Sequence, residues 1–282
     1  MDYNKIVIFN ASHVTKELPI PILNCLSQIT TKQIVISLSP NFTEENTLFL
    51  IICPAGWKPE ISLPKNYITY QLEINPYEFD QRRPYISYLQ ILKSAIFNWD
   101  YSLKNCLRFP EFNLKYVVPG YDSYLTNKIN VPYTDKCKIY DVLFLGWDIY
   151  PRRQFLKKEL EKRGLKVLFV CDLDLRSMQH HIRISKIQLN FHFSDTTDVL
   201  ETIRLNILLS NSSCVVSETT NDEIQNEYKD YVSFVPFEEL ANKCVELIKN
   251  NSERERMANE SFQWYSTKRI WKEIVDFKQM LP

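Results

Sequence analysis

Residues Leu189–Glu218 read LNFHFSDTTDVLETIRLNILLSNSSCVVSE. Leu189, Phe191 and Phe193 alternate with Asn190 and His192, the period of a strand. Ser194 to Asp198 are polar and read as a loop. LETIRLNILLSN carries Leu205, Ile207, Leu208 and Leu209 and reads as a helix that starts near Val199. SCVVSE is a second apolar strand. Glu201 and Arg204 stand at the helix entry, three residues apart and so on one face. They form either a surface ion pair or a pair that holds a ligand.

The same alternation extends in both directions. KIVIF (5–9), QIVISL (33–38), LFLIIC (48–53), YITYQLEI (67–74) and LKYVV (114–118) read as strands, and PILNCLSQI (21–29) as a short helix. Residues 84–108 carry a helical pattern in one or two pieces. A polar stretch, 122–138, precedes a second series. Its strands are YDVLFLG (140–146), LKVLFVC (165–171), ISKIQLNFHF (184–193), SCVVSE and YVSFVPF (231–237). Helices are expected over 152–164, ending on Gly164, and over 237–250, 252–265 and 267–280. Ser252 and Glu255 have the spacing of a capping box. Near-continuous apolar strands alternating with helices imply parallel sheets covered on both faces. The expected fold is α/β, two Rossmann-like domains facing a cleft. Residues 1–119 form the first and 120–282 the second, with helix 267–280 packing back toward the first. Ligands of such sheets bind beyond the carboxyl ends of the strands.

The chain has 282 residues, with 34 Lys plus Arg against 34 Asp plus Glu. A zero net charge speaks against a nucleic-acid binder, whose affinity rests on excess positive charge. The seven cysteines show no CxxC spacing and read as reduced, mostly buried thiols of a cytoplasmic protein. No stretch is apolar for the length of a membrane span. GxGxxG, GxxxxGK[ST], HExxH and GxSxG are absent, which removes the usual support for dehydrogenase, P-loop, zinc-protease and hydrolase readings.

The order of elements in residues 140–265 resembles the nucleotide-sugar-binding half of GT-B glycosyltransferases, closest to the family-1-like and spore-protein-like members. The resemblance is carried by FLG (144–146) followed by Arg152 and Arg153, then SKIQLNFH (185–192), ETIRLNILLSN (201–211) and VVSE (215–218). It implies transfer of a sugar from a nucleotide-diphosphate donor to a glycan, lipid-linked or protein acceptor, in glycan biosynthesis, with neither a bound metal nor another cofactor. The implied donor-binding residues are Gly146, Arg152, Arg153, Lys186, Asn190, His192, Glu201, Arg204 and Glu218. Some relatives grip the ribose with a glutamate where Ile207 stands here, so Glu201 and Glu218 both stand open for that role.

The chemistry agrees with this assignment. Breaking a sugar–diphosphate bond leaves charge on phosphate that cations and backbone N–H groups must meet. Arg204 can meet it bidentately, and Lys186 either meets phosphate or is a solvated strand-edge lysine. His192 faces the cleft or is a satisfied core histidine. His180 and His181 read as surface residues. Asp172-Leu173-Asp174 is a DxD, a weak motif here, read as a surface or base-contacting loop. His13, in NASHVTKE after the first strand, is the expected general base, unless it is a plain loop histidine. Asp100 and Asp122 are the other candidates. Arg152, Arg153, Lys157, Lys158, Lys162, Arg163 and Lys166 give one helix a basic face that is either solvated or docks peripherally on an anionic membrane. A non-catalytic nucleotide-sugar or glycan-binding protein and a sugar-nucleotide epimerase-like enzyme are the competing readings. Oligomeric state is not legible.

Overall fold

The structure, a computed structural model, describes residues 3–39, 42, 45–58, 60–83, 87–127, 137–271 and 281. The chain divides into two units. Unit 1 is Met1–Pro119 with Trp271–Pro282, and unit 2 is Gly120–Ile270.

Unit 1 is built on six parallel strands, β1 (Lys5–Asn10), β2 (Gln33–Ser37), β3 (Thr47–Ile52), β4 (Tyr67–Gln71), β5 (Asn98–Asp100) and β6 (Leu114–Tyr116), in the order β2-β1-β3-β4-β5-β6. Every residue of β3 and β4 is buried, as expected of strands covered on both faces. The helices are α1 (Pro19–Leu26), α2 (Pro76–Arg82), α3 (Tyr88–Ser94) and α4 (Leu103–Arg108).

The helical pattern expected across 84–108 is broken by β5, Asn-Trp-Asp, which is too short to announce itself by periodicity. Tertiary partners create it. Asn98 lies against Thr69 in β4, accepting its hydroxyl at 2.6 Å, and donates to the Leu92 carbonyl at 3.0 Å.

Unit 2 is a five-stranded parallel sheet of β7 (Tyr140–Leu145), β8 (Val167–Val170), β9 (Ser185–Asn190), β10 (Val215–Glu218) and β11 (Ser233–Val235), in the order β11-β10-β9-β7-β8. Its helices are α5 (Pro151–Lys162), α6 (Leu175–Arg183), α7 (Thr202–Leu209), α8 (Gln225–Tyr228), α9 (Leu240–Ile248) and α10 (Asn251–Lys268). Val142, Phe144, Ile187, Leu189 and Val216 from the sheet meet Leu156, Leu160, Cys244, Leu247 and Ala258 from the helices in one apolar core. Gly164 closes α5 with φ +80°, the left-handed conformation that favours glycine at a helix end.

Expected boundaries shift in several places. Helix α10 starts at Asn251, directly after its cap Asn250, whose side chain accepts the Glu253 N–H, so Ser252–Glu255 is not a capping box. The same helix runs on through Thr267 and Lys268, and residues 272–280 of the expected last helix lie outside the described residues. Helix α6 fills a stretch read as polar surface. It is amphipathic, burying Met178 and Ile182 and leaving His180 exposed.

Both sheets reverse their strand order once, between β1 and β3 in unit 1 and between β7 and β9 in unit 2. At such a switch the flanking connections run to opposite faces and leave a crevice at the carboxyl ends, where α/β proteins bind ligands.

Candidate functional site

The switch of unit 2 carries the residues singled out in Leu189–Glu218. Strand β7 ends at Leu145, and Gly146 follows. A Cβ on Gly146 would stand 2.7 Å from the Phe144 ring, which is itself wholly buried, so the close approach requires glycine. Pro151 opens α5, a position where its missing N–H costs no hydrogen bond. The first turn then presents Arg152 and Arg153.

Arg152 grips Glu218 at the end of β10 with both terminal nitrogens, one contact being 2.7 Å. It also pairs with Asp195 and donates to the His192 carbonyl at 3.1 Å. Its guanidinium lies 3.5 Å from the centre of the Phe237 ring. Glu218 is further engaged by the His192 N–H at 3.1 Å.

Arg204, on α7, donates to the Leu145 carbonyl at 3.0 Å and to Asn190 Oδ1 at 2.8 Å, and pairs with Glu201. Asn190 in turn donates to Ser217 at 3.1 Å, so β9, β10, β7 and α7 meet in one polar junction. Burial alone would push the Glu201 carboxyl upward. The Arg204 guanidinium, with His192 and Arg153, overcomes that and holds it at about 2. His192 Nδ1 stands 3.7 Å from Glu201, beyond hydrogen-bond range, and among the described residues neither ring nitrogen has a hydrogen-bond partner.

Arg153 is different. It is 6% exposed, and among the described residues no carboxylate lies at ion-pair distance. Its one hydrogen bond is to the Trp147 carbonyl at 2.9 Å, and its Nε is buried without a partner. It rests on aromatic faces, 4.8 Å from the centre of the Phe144 ring and 5.2 Å from that of Tyr150. Desolvation, with Arg204 nearby, lowers its pKa to about 10. Glu201 opposes that shift electrostatically but is itself paired with Arg204, and a buried guanidinium with no carboxylate in contact is unfavourable unless something anionic completes it. Three guanidiniums thus share this edge with three carboxylates, Asp195 and Glu218 on Arg152 and Glu201 on Arg204. Among the described residues Arg204 Nη2 also has no hydrogen bond, which leaves a second donor open for an anion.

The structure brings together Gly146, Arg152, Arg153, Asn190, His192, Glu201, Arg204 and Glu218. It does not bring Lys186 there. Lys186 begins β9, and its ammonium pairs with Asp141 at 2.8 Å at the amino end of β7. Four residues of strand, roughly 13 Å, separate it from Asn190. The helix start expected near Val199 is also displaced. Val199 and Leu200 are buried, the Leu200 N–H is taken by Asp222 at 3.1 Å, and α7 begins at Thr202. Glu201 and Arg204 are accordingly no surface pair, with side chains 11% and 15% exposed.

The DxD residues have local roles. Asp174 caps α6, accepting the Ser177 N–H at 2.7 Å, and Asp172 is exposed with φ 58°. Among the described residues no three His, Cys, Asp or Glu side chains are grouped to hold a metal. The basic face of α5 is partly paired, Lys157 with Asp148, and Lys162 and Arg163 with Glu159.

In unit 1, His13 is exposed in a helical turn, His13–Thr15, after β1. Asp100 is fully buried and hydrogen-bonded to Gln71, Ser102 and Asn105. Asp122 belongs to unit 2 and accepts the Tyr124 N–H of a turn. Sequence reasoning passed over Glu17, which is buried in the same loop as His13 with one carboxylate oxygen unpartnered. The available signal was its place four residues past His13, between Lys16 and the apolar Leu18.

No known family model matches the sequence. Over 118 residues it is 29% identical to the uncharacterized protein R358 of Acanthamoeba polyphaga mimivirus, a match covering 39% of this chain and 40% of that one. Among solved structures, phage T4 BGT with its UDP-glucose substrate superposes at TM-score 0.60 and 14% identity, covering 98% of each chain. The DNA-modifying enzyme β-glucosyltransferase, with and without uridine diphosphoglucose, gives 0.57 and 11% over 98% of each. A putative UDP-N-acetylglucosamine 2-epimerase of Listeria monocytogenes gives 0.52 and 9%, over 97% of this chain and 95% of that one. At such identities the likeness speaks for the fold. By its two parallel-sheet units, this chain shares the GT-B fold of these structures.

Proposed function

We propose that this protein is a glycosyltransferase that binds a nucleotide-diphosphate sugar on unit 2 and transfers the sugar to a hydroxyl-bearing acceptor without a metal. The observation that carries the reading is Arg153, a buried cation at the β7/β9 switch, beside Arg204, with no carboxylate at ion-pair distance among the described residues. A diphosphate supplies the missing negative charge, and guanidiniums match phosphate geometry. Arg152 acts through Glu218, whose two oxygens it occupies, and so shapes the site more than it binds. That leaves Glu201, facing His192, as the carboxylate for ribose or sugar hydroxyls.

Charge on the leaving diphosphate is met by these guanidiniums, positioned before the reaction begins. Asp172 and Asp174 stand outside this cluster, which supports metal independence. The T4 enzyme binds UDP-glucose, so a UDP-sugar is the first donor to test. Lipid-linked, glycan and protein acceptors remain the acceptor classes, in a reducing, cytoplasmic compartment. Exposed Trp147, Ile149 and Phe155 near Lys158 favour a lipid-linked acceptor among them.

The test is calorimetric titration with UDP-glucose and related nucleotide sugars. Arg153→Met is expected to weaken donor binding by about 2 kcal/mol, roughly thirtyfold, as loss of a hydrogen bond to a charged group does. UDP release should be insensitive to EDTA. Unchanged affinity in Arg153→Met would remove the reading's main support, and EDTA-sensitive turnover would reject metal independence. An epimerase would instead interconvert the free nucleotide sugar, which product analysis separates from transfer.

A further inference from the structure

One side of unit 1 is almost free of charge. Residues 18–43 carry one charged side chain, Lys32, where a chain with 24% charged residues would place about six. The stretch holds α1 and β2. Strand β2 is the outermost of the sheet on this side, and α1 packs on β1 and β2. Lys32 keeps to its own chain, donating its ammonium to the Tyr3 carbonyl. Surfaces depleted of charge are characteristic of the centres of protein interfaces.

Strand β2 is also an edge without protection. Of the four outer strands, β6 and β11 have three residues each, β8 has four and β2 has five. Lys115 stands in the middle of β6, whereas β2 reads Gln-Ile-Val-Ile-Ser. Ile34, Val35 and Ile36 are half-buried, and Leu38, just past the strand, is 97% exposed. Sheets normally blunt such an edge with a charge, a proline or a bulge, because its open N–H and C=O groups are a template for another strand. The register shows which groups are open. The Gln33 N–H donates to the Asn4 carbonyl at 3.3 Å, and Lys5 stands opposite Gln33. Gln33, Val35 and Ser37 therefore direct their backbone groups to β1. Ile34 and Ile36 direct theirs outward, where no strand lies among the described residues.

We propose that β2 pairs antiparallel with β2 of a second copy of this chain, about a two-fold axis at Val35, so that one sheet runs through both copies. The segment is its own complement. With the axis at Val35, Ile34 stands opposite Ile36 of the second copy, and both direct their backbone groups across the gap. Each such pair exchanges two N–H···O=C bonds, and the two-fold makes two such pairs. Val35 meets Val35 of the second copy in the closer, non-hydrogen-bonded position. The cross-strand pairs are then Ile–Ile, Val–Val and Ile–Ile, β-branched side chains that pack well across strands, and no like charges are brought together. A contact of five residues a side is small, so the dimer dissociates in the micromolar range.

Sedimentation velocity of the full chain from about 1 to about 200 µM tests the association. Wild type is expected to pass from monomer to dimer across that span. Val35→Lys sets two ammonium groups face to face at the axis and should raise the dimer Kd at least about tenfold. The register is tested separately by cysteine substitution and mild oxidation. Val35→Cys places two thiols directly opposite each other and should give a linked dimer. Ile34→Cys faces Ile36 of the second copy, so its two thiols are offset and it should link at least about tenfold less. Mass spectrometry of the linked peptide separates position 35 from the seven native cysteines. Wild type that stays monomeric at the highest concentration overturns the proposal, as does a folded Val35→Lys that dimerises like wild type. Should Val35→Lys fail to fold, the cysteine pair decides: equal linking at positions 34 and 35, or none at 35, overturns the proposal.

Discussion

Glu17→Gln is expected to stabilise unit 1 at pH 8 by about 3 kcal/mol and to leave it unchanged at pH 4. The Glu17 pKa is raised from 4.5 to about 7 by desolvation, so the folded state holds its proton more tightly than the unfolded chain. A carboxyl shifted this way contributes its stability fully below pH 4.5. That stability is lost as the pH rises through about 7, because the folded state must then ionise a buried group. At about 1.4 kcal/mol per pH unit, the interval corresponds to about 3 kcal/mol. A neutral amide of the same shape never ionises, so its advantage appears only where Glu17 is charged. Urea unfolding of wild type and variant at pH 4, 6 and 8, read by a unit 1 tryptophan such as Trp99, measures it. A gap that stays constant across these pH values would show that Glu17 does not titrate in this interval.

Arg204→Ala carries the second large effect, and its pH dependence has the opposite sign. Removing the guanidinium leaves Glu201 as a buried carboxylate without its principal partner, and also frees Asn190 Oδ1 and the Leu145 carbonyl. Breaking one side of a buried pair costs about 3–5 kcal/mol. The Glu201 pKa is depressed from 4.5 to about 2. Its contribution is therefore present above pH 4.5 and lost as the pH falls through about 2. Wild-type unit 2 should weaken on acidification across that window, while Arg204→Ala, having already lost the pair, should show a flatter acid limb. The double variant Arg204→Met/Glu201→Gln should recover most of the loss, since neither charge is then buried alone. Differential scanning calorimetry of the three proteins from pH 2.5 to 7 checks this. A single variant within about 1 kcal/mol of wild type would return Glu201 and Arg204 to an ordinary exposed helical pair.

The two units thus place their ionisable groups in contrasting ways. At the unit 2 switch three guanidiniums meet three carboxylates, and among the described residues none of those carboxylates lies at ion-pair distance from Arg153, a setting for an anionic ligand. In unit 1, burial holds Glu17 neutral up to about 7.

Much of this was legible before any coordinates. Strands recurring between helices specify parallel sheets, because a covered strand is apolar on both faces and its crossover needs a helix's length of chain. The stretch Leu189–Glu218 therefore announced β9, α7 and β10, and placed Asn190, Glu201, Arg204 and Glu218 near one sheet edge. Periodicity is a local property, and it failed where order is made by distant partners. Asn98–Asp100 is a strand because β4 and β6 flank it, and α7 starts at Thr202 because Asp222 holds the Leu200 N–H.

Charge pairing is likewise invisible in one dimension. Arg152 and Arg153 are adjacent and identical in type, yet a helical turn aims one at Glu218 and buries the other on Phe144, where the described residues offer it no ion pair. Lys186 and Asn190 share a strand, and only the direction of β9 shows that they lie at opposite edges of the sheet. Glu17 drew no reading at all, four residues past His13. Burial by the fold, which depends on every neighbouring element, left His13 exposed and enclosed Glu17. Residue types and spacing established the sheets and the neighbourhood of the site; which charges are matched and which are left open was set by packing in three dimensions.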